Sequence, residues 1–346
     1  MRRLVARDAR QAYRVITRDQ DLSREPKGWL RRFFFRTRVV FLGLSYKLTP
    51  ARRVLFAIAI VAALFGNLKF DVVTKTEHIR VDTSPLWFLA SIGILVFLLA
   101  LELVDRVLVR DELEVARQLQ RDLLPKQAPE LPGYCAAHSY HTANEVGGDY
   151  YDFSPLGNGR VVITMGDASG HGMAAALLMA IANAALKLAI DLDPAPERVA
   201  TLLNRALFRT GDRRAFVTLF YGVLELASGE MRYVCAGHPF PLLRRASGEL
   251  LELGHGGLPL GIREAIEIEE ASVTLGRGDL LMLYSDGLSE TVNASSQAFG
   301  FERLRALLAA NGAPQHVHDA VLASVTAFRG EEPLVDDLSL VVVARE

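Results

Sequence analysis

Between Val54 and Val104 the chain carries two apolar runs, and they constrain its architecture more than any other feature. "VLFAIAIVAALFGNLKF" (Val54–Phe70) is apolar apart from Asn67 and Lys69, and "SPLWFLASIGILVFLLALELV" (Ser84–Val104) has no charge before Glu102. A helix needs about 20 apolar residues to cross the hydrocarbon core of a bilayer. The first run is close to the lower limit, and a buried or interfacial helix is its alternative. Two such runs, separated by a short loop and with Trp87 near one end of the second, predict a transmembrane hairpin. The first begins too far into the chain for a cleaved signal peptide.

The flanking charge sets the orientation. Residues 1–53 hold 13 Arg and 2 Lys against 4 acids, with Arg52 and Arg53 abutting the first run, whereas the loop between the runs has Lys69, Lys75 and Arg80. The positive-inside rule then puts both termini in the cytoplasm and the chain in the cell inner membrane as a multi-pass protein. The basic, aromatic stretch "WLRRFFFRTRVVFLGLSYKL" is expected at the membrane surface, with its arginines on lipid headgroups. Net charge is −1 over 346 residues, so no global electrostatic case exists for a nucleic-acid partner. Cys135 and Cys235 stand without a CxxC or a histidine cluster, which argues against a disulfide framework or a zinc site.

After the second run, "DRVLVRDELEVARQLQRDLLP" lacks Gly and Pro until Pro125. Apolar or small residues at Val109, Leu113, Ala116 and Leu123, with Gln120 at the remaining seam position, predict a helix with a narrow seam. That seam serves either a homodimeric coiled coil, the favoured reading, or packing on the helix's own domain. The expected divisions are therefore a basic segment 1–53, a hairpin 54–104 with spans 54–70 and 84–104, a connector helix 105–125, and a globular domain 126–346.

In the last of these, apolar segments bounded by turn residues predict strands: "RVVITMGDA", "AFVTLFYGVLEL", "GEMRYVCAG", "PLLRRA", "DLLMLYSDG" and "DLSLVVVARE". Helices are expected over Met173–Leu192, Pro196–Phe208, Phe301–Leu308 and near Gln315–Phe328. Most strands follow one another without an intervening helix, and "ASGE" reads as a hairpin turn. The fold class is α+β, with antiparallel sheets layered against helices.

Acids recur at the ends of these strands. Asp149 follows two glycines in "EVGGDYYDF", Asp167 follows "VVITMG", Asp286 follows "LLMLYS", and Asp336 and Asp337 precede "LSLVVV". One acid beside Gly is an ordinary turn residue. Several at strand ends repel one another unless a cation joins them, and hard divalent cations prefer oxygen ligands. A two-metal hydrolytic site fits this pattern.

In order along the chain, "EVGGDYYDF", "GDASGHGMAAAL", "FVTLFYGVLE", "YVCAGHPFPLL", "GLPLGI", "LYSDGLSET" and "DDLSLVVV" resemble the bacterial PPM (PP2C-like) serine/threonine phosphatases of the SpoIIE/RsbU type. The resemblance runs from about Leu113 to the C-terminus. It implies two packed antiparallel β-sheets flanked by helices, and hydrolysis of phosphoserine or phosphothreonine with two Mn²⁺ or Mg²⁺ ions. It also implies that Asp167 bridges the ions, that the Ala168 carbonyl binds one, that Asp286 and Asp336 hold the second, and that Asp149 acts on the first. Asp152 and Asp337 stand behind these ligands in that reading. Eukaryotic relatives have Asp-Gly-His at the bridging site, where this chain has Asp167, Ala168 and Ser169, with His171 two residues on. His171 is then either a proton donor or a structural residue, and His238 in "AGHPFP" supports the site.

The resemblance further implies a phosphorylated protein substrate, a STAS-domain anti-sigma-factor antagonist. Two other readings compete. "GGDYYD" superficially resembles the Gly-Gly-Asp/Glu-Glu-Phe hairpin of diguanylate cyclases, but Tyr150 replaces the second acid. A catalytically inactive phosphatase fold acting as a regulatory binding module is the second.

Overall fold

The computed structural model describes residues 28–66, 70–73, 78–210, 215–309 and 312–346. The basic segment before Gly28, the end of the first apolar run at 67–69 and Lys75 lie outside the described residues. The chain divides into two units at Arg110/Asp111.

In the first unit, helix α1 (Trp29–Lys47) precedes α2 (Pro50–Phe65), which begins with Pro, the residue best tolerated in a first helical turn. The first apolar run thus supplies a helix that stops at Phe65, while Phe70–Val73 forms strand β1, paired antiparallel with β2 (His78–Val81). Gly66 caps this helix, which covers the first part of the expected span 54–70. Helix α3 starts at Ser84 and continues without interruption to Leu123. It contains an 18-residue window of mean hydropathy 2.4 that is 11% buried. At one end of the α2–α3 pair, Arg52 forms ion pairs with Glu102 (3.4 Å) and Asp105 (2.7 Å). At the other, the rings of Phe65 and Trp87 lie 5.4 Å apart. The two helices therefore run antiparallel.

The second unit is built on two five-stranded antiparallel sheets. One has the order β10-β7-β6-β5-β4, from Glu270–Thr274, Glu230–Ala236, Val217–Glu225, Arg160–Ala168 and Asp149–Gly157. The other has the order β3-β12-β11-β8-β9, from Tyr134–His141, Leu338–Arg345, Leu280–Tyr284, Leu242–Arg244 and Leu250–Glu252. Helices α4 (Met173–Leu192) and α5 (Pro196–Thr210) join the core of the first sheet. After a short helix α6 (Asp286–Glu290), α7 (Phe301–Ala309) and α8 (Pro314–Arg329) pack on the second.

The apolar runs of β11 and β12 follow from this layering. Leu281, Leu283, Val341 and Val343 face the core shared with the first sheet. Leu280, Met282, Tyr284, Leu340 and Val342 face α7 and α8. Side chains alternate across a strand, so a strand buried on both faces reads as a continuous apolar segment. Helix α4 is also long and apolar enough to cross a membrane, with mean hydropathy 1.9. Its face carrying Ala175, Leu178, Met179, Ala182, Leu186 and Ala189 is buried in the domain core, as the globular reading expected.

Candidate active site

The expected site residues converge where both sheets end. Asp149 opens β4 and Asp167 stands one residue from the end of β5, and the antiparallel register makes them direct partners. Asp286 follows β11 and begins α6, while Asp336 precedes β12 by one residue beyond Asp337. Because Tyr284 pairs with Leu340, the end of β11 and the start of β12 lie side by side.

The environment of these carboxylates is repulsive. Burial raises Asp149 well above the ordinary carboxylate range, the Asp167 charge adds to it, and the Ser285 and Ser339 hydroxyls oppose it. Ser339 donates to Asp149 Oδ2 at 2.7 Å. Burial pushes Asp167 up to about 8, with Asp286, Asp336 and Asp337 adding repulsion and the contact with Asp149 pulling back. Asp286 rises to about 6 through burial, then through Asp336 and Glu290. Asp336 is also raised by burial, and His171 is close enough to offset part of the rise. Among the described residues no Lys or Arg forms a salt bridge with any of these four acids. Nor do three or more His, Cys, Asp or Glu side chains form a closed ligand set there. Mg²⁺ and Mn²⁺ keep several waters and need only one or two carboxylates each, so an open edge of oxygens suits them.

The glycines before Asp149 make room at this edge. A Cβ on Gly148 would lie 2.8 Å from the Ala168 carbonyl oxygen and 2.9 Å from Asp167 Oδ1. The Ala168 N–H donates to the Gly148 carbonyl at 3.1 Å, which holds the two segments together. The carbonyl and carboxylate expected to serve as ligands thus face a cradle that a side chain would fill. Asp286, Asp336, Asp167, Asp149 and the Ala168 carbonyl offer the oxygen donors that a hard divalent metal prefers.

Around the acids lies a hydrogen-bonded support. Asp337 is 3% exposed and accepts from the Gly148 N–H at 2.7 Å and the Ala143 N–H at 2.9 Å. A carboxylate receiving several N–H groups fixes a loop more firmly than a neutral acceptor would. The supporting place expected for Asp337 therefore agrees with its contacts. Asp152 does not share it: its carboxylate takes Ser154 and Lys187 instead, away from the acid edge. On the far side of Asp167, Thr218 Oγ1 accepts the Asp167 N–H at 3.2 Å and lies 2.9 Å from His238 Nδ1. Burial pushes His238 down to about 3, with a main-chain interaction at Tyr284 opposing, so this imidazole is neutral. His171 is exposed at the mouth of the site.

Sequence reasoning missed Thr218, Ser339, Tyr140 and above all Gln120. Gln120 accepts the Gly147 N–H at 2.9 Å and donates to the Gly147 carbonyl at 2.6 Å. Ala116, Leu123 and Leu124 join Gln120, Asp149, Tyr150 and α4 residues around a cavity of about 260 Å³. This part of the seam packs on its own domain. The one available signal was a polar residue at an otherwise apolar spacing.

The sequence matches the family described as Stage II sporulation protein E (SpoIIE) over residues 157–346. The chain belongs to the SpoIIE family. Its second unit carries that family's PP2C-like fold: the SiaA-PP2C domain of Pseudomonas aeruginosa superposes with a TM-score of 0.63 at 20% identity, covering 70% of this chain and 99% of that one. Among curated relatives, Protein IcfG of Synechocystis sp. is 26% identical over 276 residues, covering 72% of this SpoIIE-family chain and 43% of that protein. Phosphoserine phosphatase RsbU of Bacillus subtilis is 26% identical over 244 residues, 69% of this chain and 71% of that protein. The chain thus spans less than half of IcfG and most of RsbU.

Proposed function

We propose that the chain is a metal-dependent protein phosphatase acting on phosphoserine or phosphothreonine of a cytoplasmic signalling protein. The observation that carries this reading is the Gly148 cradle, where the Ala168 carbonyl and Asp167 Oδ1 approach the main chain too closely for any side chain, beside a set of carboxylates that no Lys or Arg of the described residues neutralises. Asp167, Asp149, Asp286, Asp336 and the Ala168 carbonyl would hold two Mn²⁺ or Mg²⁺ ions, which would supply charge stabilisation of the phosphoryl oxygens and a water of lowered pKa. The protein's part is to hold these oxygens in place. Ser339 orients Asp149, Thr218 fixes the Asp167 main chain, and Asp337 ties the loop before Asp149 to the second sheet. Asp336 and His171 are exposed, which leaves the edge open to a protein-borne phosphate.

The name of the relative RsbU, a phosphoserine phosphatase, supports this substrate class, and a phosphorylated STAS-domain antagonist of an anti-sigma factor is the partner proposed. The antiparallel α2–α3 pair, with charges at one end and aromatic rings at the other, supports anchoring as a membrane hairpin with lipid around it and the domain in the cytoplasm. The exposed Val109 leaves part of the connector seam for a homodimer.

The test is release of phosphate from a phosphoserine peptide by the full chain, with and without Mn²⁺. Turnover that requires the metal is expected. Mn²⁺ binding without turnover on any phosphoprotein tried would favour the inactive binding module.

A further inference from the structure

Gln120 occupies an apolar-spaced position of α3 yet is 8% exposed and turned onto the loop that leads into β4. Its side-chain amide meets both polar groups of one peptide unit, the Gly147 N–H at 2.9 Å and the Gly147 carbonyl at 2.6 Å, and also donates to Tyr140 Oη at 3.1 Å. Gly147 is buried and precedes β4, so no ladder partner serves it. Removing the amide leaves a buried donor and a buried acceptor unmatched, and water must enter or the loop must move. A Cβ on Gly147 would come within 1.8 Å of Asp337 Oδ2, so the loop has no slack on that side. Asp337 holds the Gly148 N–H from the second sheet while Gln120 holds Gly147 from the helix.

We propose that Gln120 is a positioning residue for the acid edge: its amide holds the Gly147 peptide and thereby sets where Asp149 stands. The proposal rests on the reading that Asp149 helps to hold the metal. A carboxamide suits the place better than a carboxylate for two reasons. It supplies the donor that the Gly147 carbonyl needs, and it adds no charge beside Asp149 and Asp337, where like charges already repel. It also accounts for a polar residue on a helix face otherwise lined by Ala116, Leu119, Leu123 and Leu124.

The test uses the full chain in detergent micelles and two readouts. Metal-free amide hydrogen exchange is followed segment by segment, and Mn²⁺ binding is followed by calorimetry. Gln120→Met keeps the volume and removes both hydrogen bonds to Gly147 and the one to Tyr140. Exchange over residues 143–149 is expected to accelerate at least tenfold while β11 and β12 keep their protection, and Mn²⁺ is expected to bind at least tenfold more weakly. Gln120→Glu keeps an acceptor for the Gly147 N–H and serves if the Met variant does not fold; acceleration confined to the same segment is expected. Val115→Ala, exposed on the same helix and outside the cavity that Gln120 lines, is expected to change neither readout. Unchanged exchange over 143–149, or acceleration spread evenly through the domain, overturns the positioning role. Unchanged Mn²⁺ affinity despite a loosened loop overturns its link to Asp149. If the wild-type chain binds no Mn²⁺, the metal reading fails while the exchange comparison still decides whether Gln120 holds the loop.

Discussion

Asp149 and Asp167 are register partners on adjacent antiparallel strands, with Asp149 almost wholly buried. Like charges placed directly opposite one another destabilise a sheet. The pair is retained here at the point where β4 begins and β5 ends, beside a glycine so close to Asp167 and the Ala168 carbonyl that no side chain fits.

Asp167→Asn is expected to abolish turnover and weaken Mn²⁺ binding by more than the ~10–100-fold typical of losing an outer-shell partner. The fold should survive, because the substitution relieves repulsion in the metal-free protein. Calorimetric Mn²⁺ titration and metal-free Tm check both halves. Wild-type turnover at saturating Mn²⁺ would remove Asp167 from the site.

Stability of the metal-free protein is expected to fall as pH rises. Asp167 and Asp286 hold their protons to about 8 and about 6 in the folded state, against 3.8 as the ordinary value. The native state therefore binds more protons than the unfolded chain, and their stabilising contribution, full below about pH 4, is lost as pH climbs through the folded values. Chelator-treated protein should melt higher at pH 5 than at pH 8, and added Mn²⁺ should stabilise it more at pH 8. A melting temperature that rises over this window would contradict the repulsive cluster.

Gly148→Ala places a methyl group 2.8 Å from the Ala168 carbonyl oxygen and 2.9 Å from Asp167 Oδ1. Both neighbours are expected to shift, at an overpacking cost of about 1–3 kcal/mol. Mn²⁺ affinity should fall with them. Chemical denaturation and metal titration measure the two effects, and a variant with wild-type metal affinity would show that the cradle is not the binding place.

A reporter active only outside the cytoplasm is expected to give signal when inserted at Thr83, between β2 and α3, and none when fused after Glu346. Signal from the C-terminal fusion alone would reverse the proposed orientation and separate the domain from cytoplasmic phosphoproteins.

Much of the second unit was legible from the chain alone. Helix Met173–Leu192 and strand Arg160–Ala168 have the predicted bounds, and the runs "LLMLY" and "LSLVVV" announced strands. These elements declare themselves because apolar periodicity is a local record of what each residue buries. Strands Tyr134–His141 and Asp149–Gly157 were not predicted, since their polar residues interrupt that record. The first apolar run supplied composition for a span to Phe70, and its helix runs to Phe65, while Phe70–Val73 pairs with His78–Val81. The acids could be picked out by their place at strand ends. That Asp149 faces Asp167, that Gly148 leaves space before Ala168, and that Gln120 turns inward to Gly147 were settled by tertiary structure. Each depends on a contact between segments distant in the chain, and only the register of the sheets and the seating of the helix bring those segments together.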